Sequence, residues 1–215
     1  MVKPTILKPT ILNGNGVYNN GAGGGGGETD IFFNEKIGNR TYRCRKIGNI
    51  AVTCENIKEI TPDINFNPIG TIEEPAAWFY NGGNEEIFKK AGMLYNAFAL
   101  PYLNFDSWHV ITKSEIDYIL SFLSNSYNAK SLKSDSDNWI NSNGIDLICL
   151  SFEPCGRREP NGNFDSLNYY SNNWTSTQKD SISNYAFTLS YNADNFSVGG
   201  SQFKQAYSVR LVKSL

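Results

Sequence analysis

Two glycine–asparagine pairs ten residues apart, Gly38-Asn39 and Gly48-Asn49, constrain this chain more than any other feature. Such pairs mark two-residue hairpin turns, because glycine accepts the positive φ that the tight reversal needs. The intervening Arg40-Thr41-Tyr42-Arg43-Cys44-Arg45-Lys46 then reads as a strand. If Ile47 pairs with Ile50, Cys44 falls opposite Thr53 and Cys54 opposite Arg43. The two thiols would point to opposite faces and are not expected to bond. The four cysteines (44, 54, 149 and 155) form no metal-ligand spacing, and buried free thiols are the expectation.

Thr112-Lys113-Ser114-Glu115 reads as a capping box, with Thr112 as N-cap and Glu115 reaching back to it. Ile116, Ile119, Leu120 and Leu123 follow at helical spacing and make one apolar stripe. A second, shorter helix is expected over 128–133. The best strands beyond it are Ile145–Leu150, Ala186–Leu189 and Ser208–Val212. Residues 58–90, with Pro62, Pro68, Pro75 and Gly82-Gly83, read as irregular.

At 215 residues the chain holds one sizeable domain, placed at 30–215. Before it come an anchor peptide and a glycine-rich linker over 1–29. Lys3-Pro4-Thr5-Ile6-Leu7 repeats as Lys8-Pro9-Thr10-Ile11-Leu12, and the prolines favour extended chain. Pro4, Ile6, Leu7, Pro9, Ile11 and Leu12 are the candidate anchor to a larger body, docked as extended peptides dock in grooves. No apolar run follows Met1, so no secretory leader is expected. No window is apolar enough to span a bilayer. A net charge of −2 offers no basic stripe for nucleic acid.

From Asn161 to Asn195, 21 of 35 residues are Asn, Ser, Tyr or Asp. That composition suits recognition loops, since tyrosine supplies flat amphipathic area and asparagine adaptable hydrogen bonding. Tyr169, Tyr170, Asn172, Asn173, Tyr185, Tyr191, Asn192 and Asn195 are the candidate contact residues. Trp174 is assigned to the core instead. Lone His109 is read as structural, since a catalytic triad would have to be built on it alone. Glu159-Pro160-Asn161 resembles the tripeptide with which sugar-binding C-type lectins hold calcium and saccharide hydroxyls, but their customary second cluster is present only as the scrambled Asn172-Asn173-Trp174, and the likeness is read as coincidence. No metal or other cofactor is expected.

An ordered series of motifs resembles the Fibrobacter succinogenes major paralogous domain family. Ile47-Gly48-Asn49 leading to Glu55-Asn56-Ile57 looks like its opening block, and Gly92-Met93-Leu94-Tyr95-Asn96 its next element. Trp108-His109-Val110 is similar to the family's entry into the first helix. Leu132-Lys133-Ser134, Phe152, Gly156-x-Arg158, Gly162-x-Phe164, Trp174-Thr175-Ser176 and Tyr207-Ser208-Val209-Arg210-Leu211-Val212 continue the series. Val52-Thr53 stand where a tryptophan–methionine pair is usual, and Ile111 where proline is. The resemblance implies an α+β, C-type-lectin-like fold of small antiparallel sheets, two helices and long irregular loops. It also implies that function lies in the loops. That fold is shared with oxidases using a reactive cysteine pair, but no catalytic signature accompanies Cys149 and Cys155.

The expected function is therefore non-enzymatic. It is a bacteriophage virion surface protein, a fibre or capsid decoration, held to a capsid or fibre protein by residues 1–12. Its domain would bind a glycan or protein on the host surface, as a homo-oligomer, a trimer by expectation, gaining from avidity. A structural cement or fibre-base module without host ligand, and a bacterial surface or secreted adhesin, are the alternatives.

Overall fold

The computed structural model describes residues 32–80, 89, 91–122, 129–141, 144–146 and 148–215. Along the chain these form β1 (Phe32–Ile37), β2 (Arg40–Ile47), β3 (Ile50–Thr53), β4 (Asn65–Phe66), β5 (Ala76–Trp78), β6 (Leu94–Asn96) and β7 (His109–Val110). The helix α1 (Lys113–Ser121) follows. Then come β8 (Cys155–Arg158), β9 (Phe164–Leu167), β10 (Tyr170–Asp180), β11 (Ser183–Ser190), β12 (Phe196–Gln202), β13 (Ala206–Tyr207) and β14 (Leu211–Ser214). One sheet runs β1-β2-β3-β14-β7, and the second runs β12-β11-β10-β8-β13-β6-β5-β4 with β9 beside β8.

The dominance of these two sheets overturns the expected α+β, C-type-lectin-like architecture. The tract read as irregular display loops, 161–195, is largely strand: β9, β10 and β11 pass through it. Tyr and Thr favour a pleated surface, and Ser and Asn are tolerated on one when cross-strand partners satisfy them. Around the second expected helix only a 3-10 turn, Ala129–Ser131, is described. The expected strand at 145–150 is also absent among the described residues. Asp146 there has φ 41° and takes hydrogen bonds from the Ser151 amide and hydroxyl, while Cys149 and Ser151 are left-handed too. A carboxylate satisfying the backbone in this way replaces a ladder with a turn.

The hairpin register is the one read from the glycines. Ile47 pairs with Ile50 and Cys44 with Thr53, and the Cys54 amide donates to the Arg43 carbonyl at 2.8 Å. Gly38 and Gly48 have φ of 59° and 57°, as the turns require. No disulfide joins the four cysteines; Cys44, Cys54 and Cys155 are buried as expected, while Cys149 is only half-buried. The helix begins as expected: Thr112 accepts from the Glu115 amide, and the Glu115 carboxylate accepts from the Thr112 amide at 2.8 Å. Its Ile116 and Ile119 are buried in a cluster with Val52, Trp139, Phe152, Phe187 and Val212.

A second cluster lies around Trp174, which is fully buried and donates its indole N–H to the Tyr95 carbonyl at 2.7 Å. The chain passes from the second sheet to the first between Tyr207 and Leu211. There buried Arg210 donates to the Asn56 side chain, the Thr53 carbonyl and the Ser151 carbonyl. It also lies 4.4 Å over the Phe152 ring. The guanidinium is thus satisfied by neutral oxygens, although burial pulls its pKa down to about 10. A third cluster, Ala76, Trp78, Tyr80, Leu94, Cys155 and Ala206, underlies β8 and β9.

A tyrosine shelf as the candidate functional site

The shelf is built where β9 hands the chain to β10. Four residues beyond β8, Gly162 (φ 93°) helps turn the chain back so that β9 runs antiparallel to β8. Arg157 holds this hairpin together, pairing with Glu159 at 2.5 Å and Asp165 at 3.2 Å. Ser166 and Asn168 then take left-handed backbones, φ 65° and 68°. Non-glycine residues are held there only where neighbours over-determine them.

The neighbours are identifiable. Asn168 donates its amide to the Pro154 carbonyl and accepts from the Ile140 amide; Tyr169 donates to Ser166 and accepts from the Tyr191 amide. Both amides and both carbonyls of the two-residue step are therefore committed. The Tyr169 ring stands 41% exposed and packs edge-on against Tyr191, with centroids 5.1 Å apart. Tyr80, Phe164, Leu167, Tyr169 and Tyr170 line a hollow of about 450 Å³, with Asp165 and Ser166 on its wall. Tyr80 and Phe164 are themselves in ring contact at 5.1 Å. Hydrogen bonding from Ser166, with Arg157 beside it, holds the Asp165 carboxyl below the usual range despite an opposing desolvation.

The adjoining turn is pinned from beneath. Lys133, with no exposed surface, donates to the Tyr191 and Ala193 carbonyls at 3.5 and 3.2 Å and sits 5.1 Å over the Trp139 ring. Burial lowers its pKa. The Ala129 amide donates to the Asp194 carbonyl at 2.7 Å. Asn192 and Asn195 are exposed on this turn, and Asn192 accepts from the Ser190 hydroxyl at 2.8 Å.

Five of the eight expected contact residues thus gather at one end of the second sheet: Tyr169, Tyr170, Tyr191, Asn192 and Asn195. Tyr185 does not join them. It lies six residues back along β11, roughly 20 Å at strand rise, with Lys113 5.9 Å from its ring. Asn172 and Asn173 are corrected outright, being only 4% and 1% exposed. β10 has neighbours on both edges, and Asn172 clamps them: its amide donates to the Gly156 carbonyl on β8, and its oxygen accepts from Thr188 on β11. Tyr80 and Asp165 were missed. Tyr80 is remote in sequence, and no local pattern carries it to β9; a charged residue alternating with Phe164 and Leu167 was the only available sign of Asp165.

The anchor residues Pro4, Ile6, Leu7, Pro9, Ile11 and Leu12 lie outside the described residues. The Glu159-Pro160-Asn161 tripeptide is engaged internally, Glu159 by Arg157 and Gln205, and Asn161 by the Asn163 amide. His109 bonds Glu115 at 2.9 Å within the capping box, the structural role expected of it. Burial pushes the thiols of Cys44, Cys54 and Cys155 up to about 12, 11 and 12, the reverse of what a thiolate nucleophile needs.

No curated protein and no solved structure matches this chain. Residues 46–213 match the family described as the Fibrobacter succinogenes major domain. That match covers most of the described domain and runs through Gly156, Arg158, Phe164, Trp174 and Arg210, so the chain belongs to the Fibrobacter succinogenes major domain family.

Proposed function

We propose that this domain is a non-catalytic recognition module that takes a host-surface glycan on its tyrosine shelf, carried on a virion by the leader of residues 1–12. The observation that supports the reading is the convergence of Tyr169, Tyr170 and Tyr191 with Tyr80 and Phe164 on a backbone committed from behind. The exposed Tyr169 ring, with half-buried Tyr170 and Tyr191 beside it, offers stacking area to the C–H face of a sugar, while Asp165, Asn192 and Asn195 offer polar partners at the margin. A pre-set backbone means that little ordering entropy is spent on contact. Protonated, buried thiols favour binding over nucleophilic chemistry. The leader's role rests on the Lys-Pro-Thr-Ile-Leu repeat.

The test is titration of the full chain with oligosaccharides released from bacterial envelopes. Replacing Tyr169 and Tyr170 together by alanine should weaken binding by roughly tenfold or more, since each ring contact contributes about 0.5–1.5 kcal/mol. Unchanged affinity in a variant that melts normally would remove the shelf. Loss of particle incorporation on deleting the leader, with host adsorption indifferent to the tyrosines, would instead indicate the cement role.

A further inference from the structure

A larger groove, of about 550 Å³, lies at the opposite end of β10. It exists because β10 leaves its pairing with β11. The register slips between Trp174 and Gln178 and again before Asp180, and the freed stretch turns to the first sheet. There the Ser176 amide donates to the Ile111 carbonyl, the Ser176 hydroxyl to the Val110 carbonyl, and the Lys113 amide to the Thr177 hydroxyl. Bulges of this kind re-aim side chains and are common beside functional sites.

The floor is aromatic. Phe98 meets Phe203 edge-on, with centroids 5.7 Å apart, and Tyr102 is 42% exposed. The rim is polar and has a common sense. Asn104, Gln178 and Asn184 each commit the amide nitrogen to a main-chain carbonyl, of Pro101, Asp180 and Thr175 respectively. Their amide oxygens are left unspent. His109 on the wall is engaged through Nε2 with the Glu115 carboxylate at 2.9 Å. Among the described residues no Asp, Glu, Lys or Arg lines the groove.

We infer that this groove is a second, separate saccharide site, in which a neutral sugar ring lies on Tyr102 and Phe98 and donates its hydroxyls to the oxygens of Asn104, Gln178 and Asn184. The pairing follows from chemistry. A ligand must bring donors for acceptors already oriented, a flat apolar face for the floor, and no charge, because no opposite charge awaits it. A pyranose meets all three requirements. The site stands some 20 Å or more from Tyr170, at six to eight residues of strand rise, and it holds or fails independently of the shelf.

The experiment is an NMR shift titration of the full chain with glucose, galactose and N-acetylglucosamine in turn. At least one should give saturable shifts at Tyr102, Asn104 and Gln178, with a Kd on the order of 1 mM. Tyr102→Ala should weaken that binding by about threefold to tenfold, whereas Tyr169→Ala should leave it unchanged within about 1.5-fold. Gln178→Ala, at an exposed position, supplies a second variant should the first perturb the fold. The inference is overturned if no sugar shifts these residues up to about 100 mM. Shifts confined to the shelf, or a groove response that survives both groove substitutions, would overturn it as well.

Discussion

Gly156 shows how much one missing methyl group can decide. Its φ is +65°, and a Cβ there would meet the Asp165 carbonyl oxygen at 2.4 Å, the Leu167 nitrogen at 2.7 Å and the Tyr80 ring at 2.9 Å. Backbone on two sides cannot swing away as a flexible side chain would. Gly156→Ala should therefore cost roughly 2 kcal/mol or more, from positive-φ strain plus overpacking, and should displace Tyr80 and β9. Urea unfolding reads the first effect, and the fluorescence or NMR environment of the shelf tyrosines the second. Asn172 makes the complementary point: Asn172→Ala leaves the Gly156 carbonyl and the Thr188 hydroxyl without their present partner. The expected loss is about 1–3 kcal/mol in the same assay.

At the scale of elements, α1 stands on its capping box more than on its length, since nine residues are too few to be stable alone. Thr112→Ala should lower stability by about 1 kcal/mol, measurable by thermal or urea unfolding. Glu115 links the cap to the groove through His109, so the same variant should also disturb the His109 ring resonances. The β9–β10 step works in the opposite manner. Its two linking residues, Asn168 and Tyr169, are held by four hydrogen bonds, one to nearby Ser166 and three to Pro154, Ile140 and Tyr191 on different parts of the chain.

For the whole molecule, the buried thiols make a pH signature. Cys44, Cys54 and Cys155 have folded pKa values raised above the ordinary 9.0, mainly by desolvation of the thiolate. Their stabilising contribution is complete below pH 9 and is lost as pH rises through about 11–12, where the unfolded chain already favours the ionised thiolate. Unfolding free energy should fall progressively over that window, and Cys→Ala variants should flatten the fall. In the native protein at neutral pH, a thiol reagent should reach partly exposed Cys149 first and the other three only on unfolding.

Short-range signals were legible wherever chain neighbours decide the outcome. The two glycine–asparagine turns, the register they impose on Cys44 and Cys54, the Thr112 cap and the buried Trp174 follow from local stereochemistry and apolar spacing. Composition marked Tyr169, Tyr170 and Tyr191 together with Tyr185, which lies at the far end of β11, because composition carries no record of position. What tertiary structure alone decided is where polar residues go once every edge of a strand is taken. Asn172 and Asn173 read as surface and lie inside β10; partners on β8 and β11 offset the cost of burying the Asn172 amide, whereas Asn173 donates to Ser171 on its own strand. Asp146 turned an apolar run into a bend, and Tyr80 reached the shelf across a long stretch of chain. Each outcome depends on groups far apart in sequence meeting in a desolvated place, and local periodicity carries no record of such meetings.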